Sequence, residues 1–307
     1  MRFTIAVCAL IASGSASAQM RSDADVVVIG ERLTPDQIER ETAEFIKRVG
    51  VASGHTPAAR WTTPVYPQVL GLAPEHAPIV EAKIREVAKE VGVGLARPDC
   101  RRGNLTVSFV QDAGGVVRAI ARKAPGNLDQ TRGAARDALM DPARPIRWWY
   151  KTGVSGDGGM AQMSAAPPWV RGGISPGAPL PQNADSTFLQ EYGSSIISSK
   201  AKRGLLSASV VVDADRAEGL PLDTVASYAA LVGLAEIRPH DPPPPGSILA
   251  TATLKPVHPT ARDLAFLRAL YRLPLDRVAR VHRGGLLRAM VAAEVGAKGE
   301  AGARDQR

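Results

Sequence analysis

Apolar residues recur at the spacing of one helix face in several segments of this 307-residue chain. The first segment covers 35–49 and carries the signals of a helix start, with Thr34 as N-cap, Pro35 in the first turn and Gln37 three residues after the cap. The pattern predicts an amphipathic helix over 35–49. By the same spacing we expect helices over 78–91, 114–123, 131–140, 222–237, 260–271 and 275–295.

Other segments carry strand patterns. Residues 205–213 (LLSASVVVD) are the clearest candidate, and 105–110 alternates apolar and polar residues. Residues 65–72 are also expected to be extended, but Pro67 lacks an amide N–H and confines them to a sheet edge or an irregular stretch. Shorter strands are expected at 25–29 and 147–151. Together these elements predict an α+β fold, with mixed sheets packed against helices.

Residues 153–183 interrupt the pattern, because Gly, Pro and Ser are dense there and no period is visible. Such a composition buries too little apolar surface to offset backbone ordering, so a long loop or linker is expected. The chain then divides into a leader at 1–18, an N-terminal α/β part at 19–152, this linker, a C-terminal α+β part at 184–295 and a disordered tail at 296–307.

The leader has the features of a secretory signal peptide. Arg2 precedes an apolar segment, and Ala16-Ser17-Ala18 before Gln19 fits the small-residue cleavage pattern. The apolar segment is shorter than the about 20 residues that span a bilayer, and no later segment is a long uncharged apolar run. We therefore expect cleavage between Ala18 and Gln19, no transmembrane segment afterwards, and a soluble mature protein that is periplasmic or secreted.

The charge balance is basic, with a net charge of +8. A basic surface can favour nucleic acid or anionic lipid. Here the basic residues are scattered and aromatic residues make up 5% of the chain, which leaves few platforms for stacking bases, so no nucleic-acid partner is expected.

Cys100 is the one cysteine after the leader. Such a thiol is buried or pairs with another molecule, and burial is the commoner outcome.

Two fragments resemble parts of the penicillin-binding and β-lactamase pattern. Residues 151–153 spell K-T-G, while Ser199 and Lys202 spell S-x-x-K, the nucleophile and base of that pattern. Their order along the chain is reversed, and Ser199 falls in a polar turn instead of at the start of a buried helix. The interpretation is a chance match, so no catalytic residue and no cofactor are expected, with Ser199 and Lys202 as the alternative.

Possible metal ligands are few. Asp213 and Asp215 follow the clearest strand, and such a D-x-D could hold a divalent cation. Two carboxylates are few for a hard cation, and carboxylates that end a strand and begin a turn are the commoner case. No metal site is therefore expected, with Asp213 and Asp215 as the alternative. The histidines lack a partner at zinc-ligand spacing and are interpreted as ordinary surface or loop residues: His55, His76, His240, His258 and His282.

The aromatic run at 148–150 could form a carbohydrate platform. Neighbouring residues of a strand point to opposite faces, so Trp149 is expected opposite Trp148 and Tyr150. At least one of these faces is therefore expected to be core.

Short motifs are spread over residues 60–290. They include P-V-x-P at 64–67, Pro98-x-Cys100, Asn104-Leu105, Tyr228-Ala229-Ala230, Ser247-Ile248-Leu249 and the run from Asp263 to Tyr271. This ordering resembles a family of exported proteins of unknown function from Gram-negative bacteria, which implies no assigned activity. In such relatives the x of P-V-x-P is often a cysteine that would pair with the cysteine of P-x-C. Here it is Tyr66, which would account for an unpaired Cys100.

The C-terminal part also resembles exported zincin-like domains, in which an H-E-containing helix runs into L-G-L and is followed by S-I-L. Aligning residues 232–234 with L-G-L places Val225 and Ala226 where the metal histidine and the catalytic glutamate would stand. Neither side chain can bind zinc or move a proton. The resemblance implies a pseudo-zincin, a zincin-shaped part without the metal.

These observations favour a non-catalytic cell-envelope module that has a binding or structural role. Its expected partner is a cell-envelope protein or polymer, met through the 153–183 loop and the basic C-terminal helix. The alternative is a cell-envelope hydrolase or acyltransferase whose residues are too scattered in sequence to recognise.

Overall fold

The computed structural model describes residues 33–97, 103–156, 159–160, 202–250 and 258–304. The leader with Ala18 and Gln19, the strand at 25–29, Cys100, Ser199 and residues 161–183 of the expected loop lie outside this part of the chain. The described residues from Thr34 onward belong to one compact unit.

The described elements confirm a mixed α+β fold. The helices are α1 (Pro35–Val49), α2 (Ala77–Glu90), α3 (Ala113–Lys123), α4 (Ala134–Met140), α5 (Leu222–Leu234), α6 (Ala261–Arg272) and α7 (Ala279–Arg304). The strands are β1 (Arg60–Trp61), β2 (Pro67–Leu70), β3 (Leu105–Val110), β4 (Ile146–Gly156), β5 (Gly159–Met160) and β6 (Lys202–Asp213). Short 3-10 turns lie at Pro125–Asn127 and Ile248–Ala250.

The strands form one sheet in the described part, in the order β2-β3-β6-β4-β5, with β1 pairing beside the start of β6. Strands β1, β2, β3 and β6 pair in parallel, whereas β4 is antiparallel to both β6 and β5. As Pro67 requires, β2 lies at an edge. Because β6 sits between β3 and β4, the parts before and after the 153–183 segment share a single sheet.

The two sheet faces are covered unequally. Alternate residues of β4 point to opposite faces, so Trp148 joins the large core beneath α2, α5 and α6, while Trp149 joins a smaller core under α3 and α4. Helix α5 is buried on nearly all sides. Gly233 lets it approach β3, because a Cβ there would lie 2.7 Å from a methyl carbon of Leu105. The result is a three-layer arrangement with α5 at the centre of its main core.

Two expected boundaries were wrong. Residues 153–156, expected to begin the loop, instead continue β4, whose pairing with β6 persists through Ser155 and Lys202. The tail expected to be disordered from 296 is helical as far as Arg304. Residues 296–304 contain no proline that would end the helix, although their three glycines, which disfavour a helix, equal their three alanines in number.

Candidate functional site

A cleft opens beside β4, between two loops that are far apart in sequence. One wall is the 141–145 segment between α4 and β4, and the other is the proline-rich 238–244 segment after α5. The cleft has a volume of about 220 Å³. A hollow of about 340 Å³ adjoins it and shares Asp141, Arg144 and Asp241 as lining residues.

The cleft is lined at its base by two aromatic rings. Trp148 of β4 and Tyr228 of α5 pack edge to face, with ring centroids 5.8 Å apart and an interplanar angle of 67°. The indole Nε1 of Trp148 donates a hydrogen bond of 2.8 Å to the Ile237 carbonyl, which fixes the ring. Burial raises the pKa of Tyr228, so its phenol is a neutral hydroxyl at physiological pH.

The first wall is held by a buried arginine. Arg147 is 2% exposed, and its Nη2 donates a hydrogen bond of 2.9 Å to the Asp141 carbonyl. Its Nη1 lies 3.8 Å from Oδ2 of Asp213, at the end of β6. Burial lowers the pKa of the Arg147 guanidinium, while the Asp213 charge opposes that shift. Arg147 therefore connects the 141–145 segment to the buried end of β6.

The second wall is held from three directions. The Arg238 amide donates to the Val49 carbonyl at the end of α1, at 3.0 Å. The Ile237 amide donates to the Tyr150 hydroxyl at 3.2 Å, and Arg48 Nη1 donates to the Pro243 carbonyl at 3.4 Å. Both walls are thus pre-arranged by contacts made outside the cleft.

Charge is distributed unevenly along the cleft and the hollow. The cleft includes Arg144 and Arg238, together with the shared Asp141 and Asp241. The hollow lacks Arg238 and adds Asp137 of α4. Arg144 Nε lies 3.5 Å from Oδ2 of Asp141, at the junction between the two. One end is therefore richer in cations and the other in carboxylates.

The C-terminus of α5, the helix that contributes Tyr228 to the cleft, is capped by hydrogen bonds from aromatic side chains. The last carbonyls of a helix have no partner within it, and the cap residue Ala235 is extended instead of a left-handed glycine. Three side chains from different elements donate to these carbonyls: Tyr150 to Val232 at 2.6 Å, Trp61 to Gly233 at 2.9 Å and Tyr271 to Leu234 at 2.7 Å.

The positions that the zincin-like resemblance singles out lie within α5. Val225 is 3% exposed and Ala226 is fully buried, and both pack in the main core. They do not line the cleft. The pseudo-zincin comparison itself stays a prediction.

Two residues of the sequence motifs, Asn104 and Asp263, form hydrogen bonds that join separate segments of the chain. The Asn104 side chain accepts a hydrogen bond of 2.8 Å from the Tyr66 amide and donates one of 3.0 Å to the Pro64 carbonyl. Similarly, Oδ2 of buried Asp263 accepts from the Ile248 amide at 2.9 Å. Two pairs of motifs that are separate in the sequence therefore meet in the fold. Burial raises the pKa of Asp263, against the hydrogen bonds it accepts.

The described residues considered for catalysis and metal binding, Lys202, Asp213 and Asp215, do not line the cleft. Asp213 is 4% exposed and accepts from the amides of Ala113 and Arg216, both at 3.2 Å, whereas Asp215 is exposed. Asp213 thus ends a strand and begins a turn. Lys202 is exposed at the start of β6, and Ser199 lies outside the described residues. Across the described ranges, no three His, Cys, Asp or Glu side chains are grouped as metal ligands would be.

The interpretation of all histidines as surface or loop residues was wrong for His282, which is fully buried on α7. Its Nδ1 accepts from the Ala58 amide at 3.0 Å, and its Nε2 lies 2.9 Å from the Pro274 carbonyl. The ring is therefore neutral with the proton on Nε2, and burial lowers its pKa. Helical spacing places His282 four residues before Leu286 on the buried face, a signal that could have identified it.

Comparison of the chain with protein-family models, curated proteins and solved structures found no match. Among the helices of the described residues, none combines the length and apolar character needed to cross a bilayer.

Proposed function

We propose that this chain is an exported, non-catalytic module of the cell envelope that binds a peptidoglycan strand in the cleft between residues 141–145 and 238–244. The signal-peptide pattern at 1–18 supports export. The lining of the cleft supports binding to a polymer that carries both sugar rings and charged groups.

The observation that carries the proposal is the pre-arranged cleft itself. The proline rings and the partly buried Tyr228 suit the apolar faces of sugar rings, and arginines suit the carboxylates of the attached peptides. Trp148, Arg147 and Arg48 hold the base and the walls through contacts outside the cleft. Little ordering of the protein is then required on binding, which favours affinity.

The test is co-sedimentation of the purified protein with peptidoglycan sacculi over a range of protein concentrations. Replacing both Arg144 and Arg238 by alanine is expected to weaken binding about tenfold or more, because each loses a charge-assisted contact. The matched control replaces Arg122 and Arg272, which are exposed on α3 and α6 and line neither cleft nor hollow. It removes the same charge and is expected to bind like the unaltered protein.

Absence of sedimentation by the unaltered protein would reject the proposal. Equal weakening by the two double variants would also reject it, since binding would then depend on overall charge. Cell fractionation tests the export component: recovery of the processed chain in the periplasm or medium supports it, and unprocessed chain in the cytoplasm contradicts it.

The acyltransferase alternative with Ser199 and Lys202 is tested by a fluorescent penicillin. The proposed function predicts no covalent label on the purified protein. Stoichiometric labelling that is lost in Ser199→Ala would replace it by the alternative.

A further inference from the structure

We infer, on the basis of the proposed function, that the cleft and its adjoining hollow together recognise a zwitterionic peptide stem of the polymer, with a carboxylate at the arginine end and an ammonium at the aspartate end. The inference concerns which chemical groups of the polymer are recognised.

The arginine end contains two guanidinium groups and a hydroxyl. Arg144 and Tyr228 line the same cleft, where Nε of Arg144 faces Oδ2 of Asp141 at 3.5 Å. Arg238 lines the same cleft, and its side chain is exposed. Planar guanidinium groups and a neutral phenol are all hydrogen-bond donors at physiological pH, which suits a carboxylate.

The aspartate end has the opposite character. Asp137 and Asp241 are exposed carboxylates that line the hollow, Asp137 from helix α4 and Asp241 from the loop after α5. Asp141 is already engaged, because its Oδ1 accepts from the Ala143 amide at 2.9 Å and its Oδ2 faces Arg144. Two acceptors on facing walls suit an ammonium group, which carries three donors.

The two ends are parts of one continuous surface, since cleft and hollow share Asp141, Arg144, Pro239 and Asp241. A ligand that matches only one end leaves the charges of the other end hydrated, and gains no contact there. A ligand with both charges satisfies both, so the arrangement discriminates against purely anionic and purely cationic polymers.

The experiment uses three preparations of sacculi: untreated, N-acetylated to neutralise ammonium groups, and amidated to neutralise carboxylates. Each chemical treatment is expected to weaken binding of the unaltered protein about fivefold or more. The Asp137→Asn, Asp241→Asn double variant is expected to bind untreated sacculi more weakly and to lose its response to acetylation. Arg238→Gln is expected to lose most of its response to amidation.

The matched control for charge is Asp36→Asn with Asp215→Asn, both exposed and outside the two lining sets. It should keep the full response to acetylation. Unchanged affinity of the unaltered protein for acetylated sacculi overturns the inference while leaving the proposed function intact. Failure to bind any sacculi overturns both, so the two failures are distinguishable.

Discussion

At the scale of single residues, the ion pair between Arg147 and Asp213 supports the first wall of the cleft. Arg147 and Asp213 are 2% and 4% exposed, so removing one charge leaves the other buried without compensation. Asp213→Ala is expected to lower the free energy of unfolding by about 3–5 kcal/mol in urea denaturation. Asp213→Asn keeps an acceptor for one of the Ala113 and Arg216 amides, which bond different oxygens of Asp213, and is expected to lose less.

Asp215→Ala is the matched control, because this neighbouring carboxylate is exposed. It is expected to change stability by less than about 0.5 kcal/mol. If the two carboxylates instead held a divalent cation, both alanine variants would lose stability to a similar degree and the purified protein would contain stoichiometric metal. That result would contradict the turn-capping role given to Asp213.

His282 makes the stability of the fold sensitive to acid. Its ring is neutral because Nδ1 faces the Ala58 N–H, and burial lowers its pKa below the ordinary value of 6.5. The unfolded chain therefore takes up a proton at a higher pH than the native state does. Its stabilising contribution is complete above about pH 6.5 and is lost progressively below it, at up to about 1.4 kcal/mol per pH unit.

The measurement is the free energy of unfolding at pH 7.5, 6.0 and 5.0 for the unaltered protein and for His282→Gln. A glutamine oxygen can accept from Ala58, so the variant is expected to show a flatter profile. The charged residues that act on His282 are Asp276, Arg60 and Arg277. They are present in both proteins, so their effect cancels when the two pH profiles are compared. His76→Gln, at an exposed position, should keep the steeper profile. Identical profiles for the unaltered protein and His282→Gln would contradict the assignment.

At the scale of elements, the end of α5 depends on aromatic side chains contributed by other elements. Tyr271→Phe removes the donor to the Leu234 carbonyl and is expected to lower the free energy of unfolding by about 1 kcal/mol. Tyr150→Phe is also expected to lower it, because that hydroxyl donates to Val232 and accepts from Ile237. Thermal or urea unfolding measures both. Tyr228→Phe, whose ring lines the cleft, is the control, and an equal loss there would argue against the capping role.

Some elements were predictable because their signals are local. Helix α1 begins and ends as its pattern predicted, with Thr34 and Gln37 forming the capping box. Strand β3 also matches the alternating segment at 105–110. The extension of β4 was not predictable, because Gly153 is a poor strand former and is held by pairing with Gly204, about fifty residues later. The aromatic capping of the α5 C-terminus was also not predictable, because its donors belong to elements that are distant in the sequence.

At the scale of the whole molecule, β6 joins parts of the chain that a long low-complexity segment separates. It pairs with β3 and β4 from the first part and continues into α5 of the second. We therefore expect one cooperative unfolding transition, with tryptophan fluorescence and far-ultraviolet circular dichroism changing at the same urea concentration. Two separated transitions would show that the parts fold independently and would contradict the shared sheet.

The cleft is a property of the whole molecule, which explains why the sequence did not predict it. Its walls are about a hundred residues apart and become neighbours only through the sheet and α5. The sequence drew attention separately to Trp148, Tyr228 and the proline run. Their spacing gave no indication that they would line the same cleft. Arg144 and Arg238 carried no local signal.

The most direct test of the proposed binding role is amide hydrogen exchange with and without soluble peptidoglycan fragments that retain their peptide stems. Binding in the cleft predicts slower exchange at the wall residues that have a backbone amide hydrogen, with the exposed turn after β6 unaffected; these residues are Asp141, Ala143, Arg144, Arg238, His240 and Asp241. Slowed exchange elsewhere with no change in these two walls, or no change at saturating fragment, would contradict binding at this site.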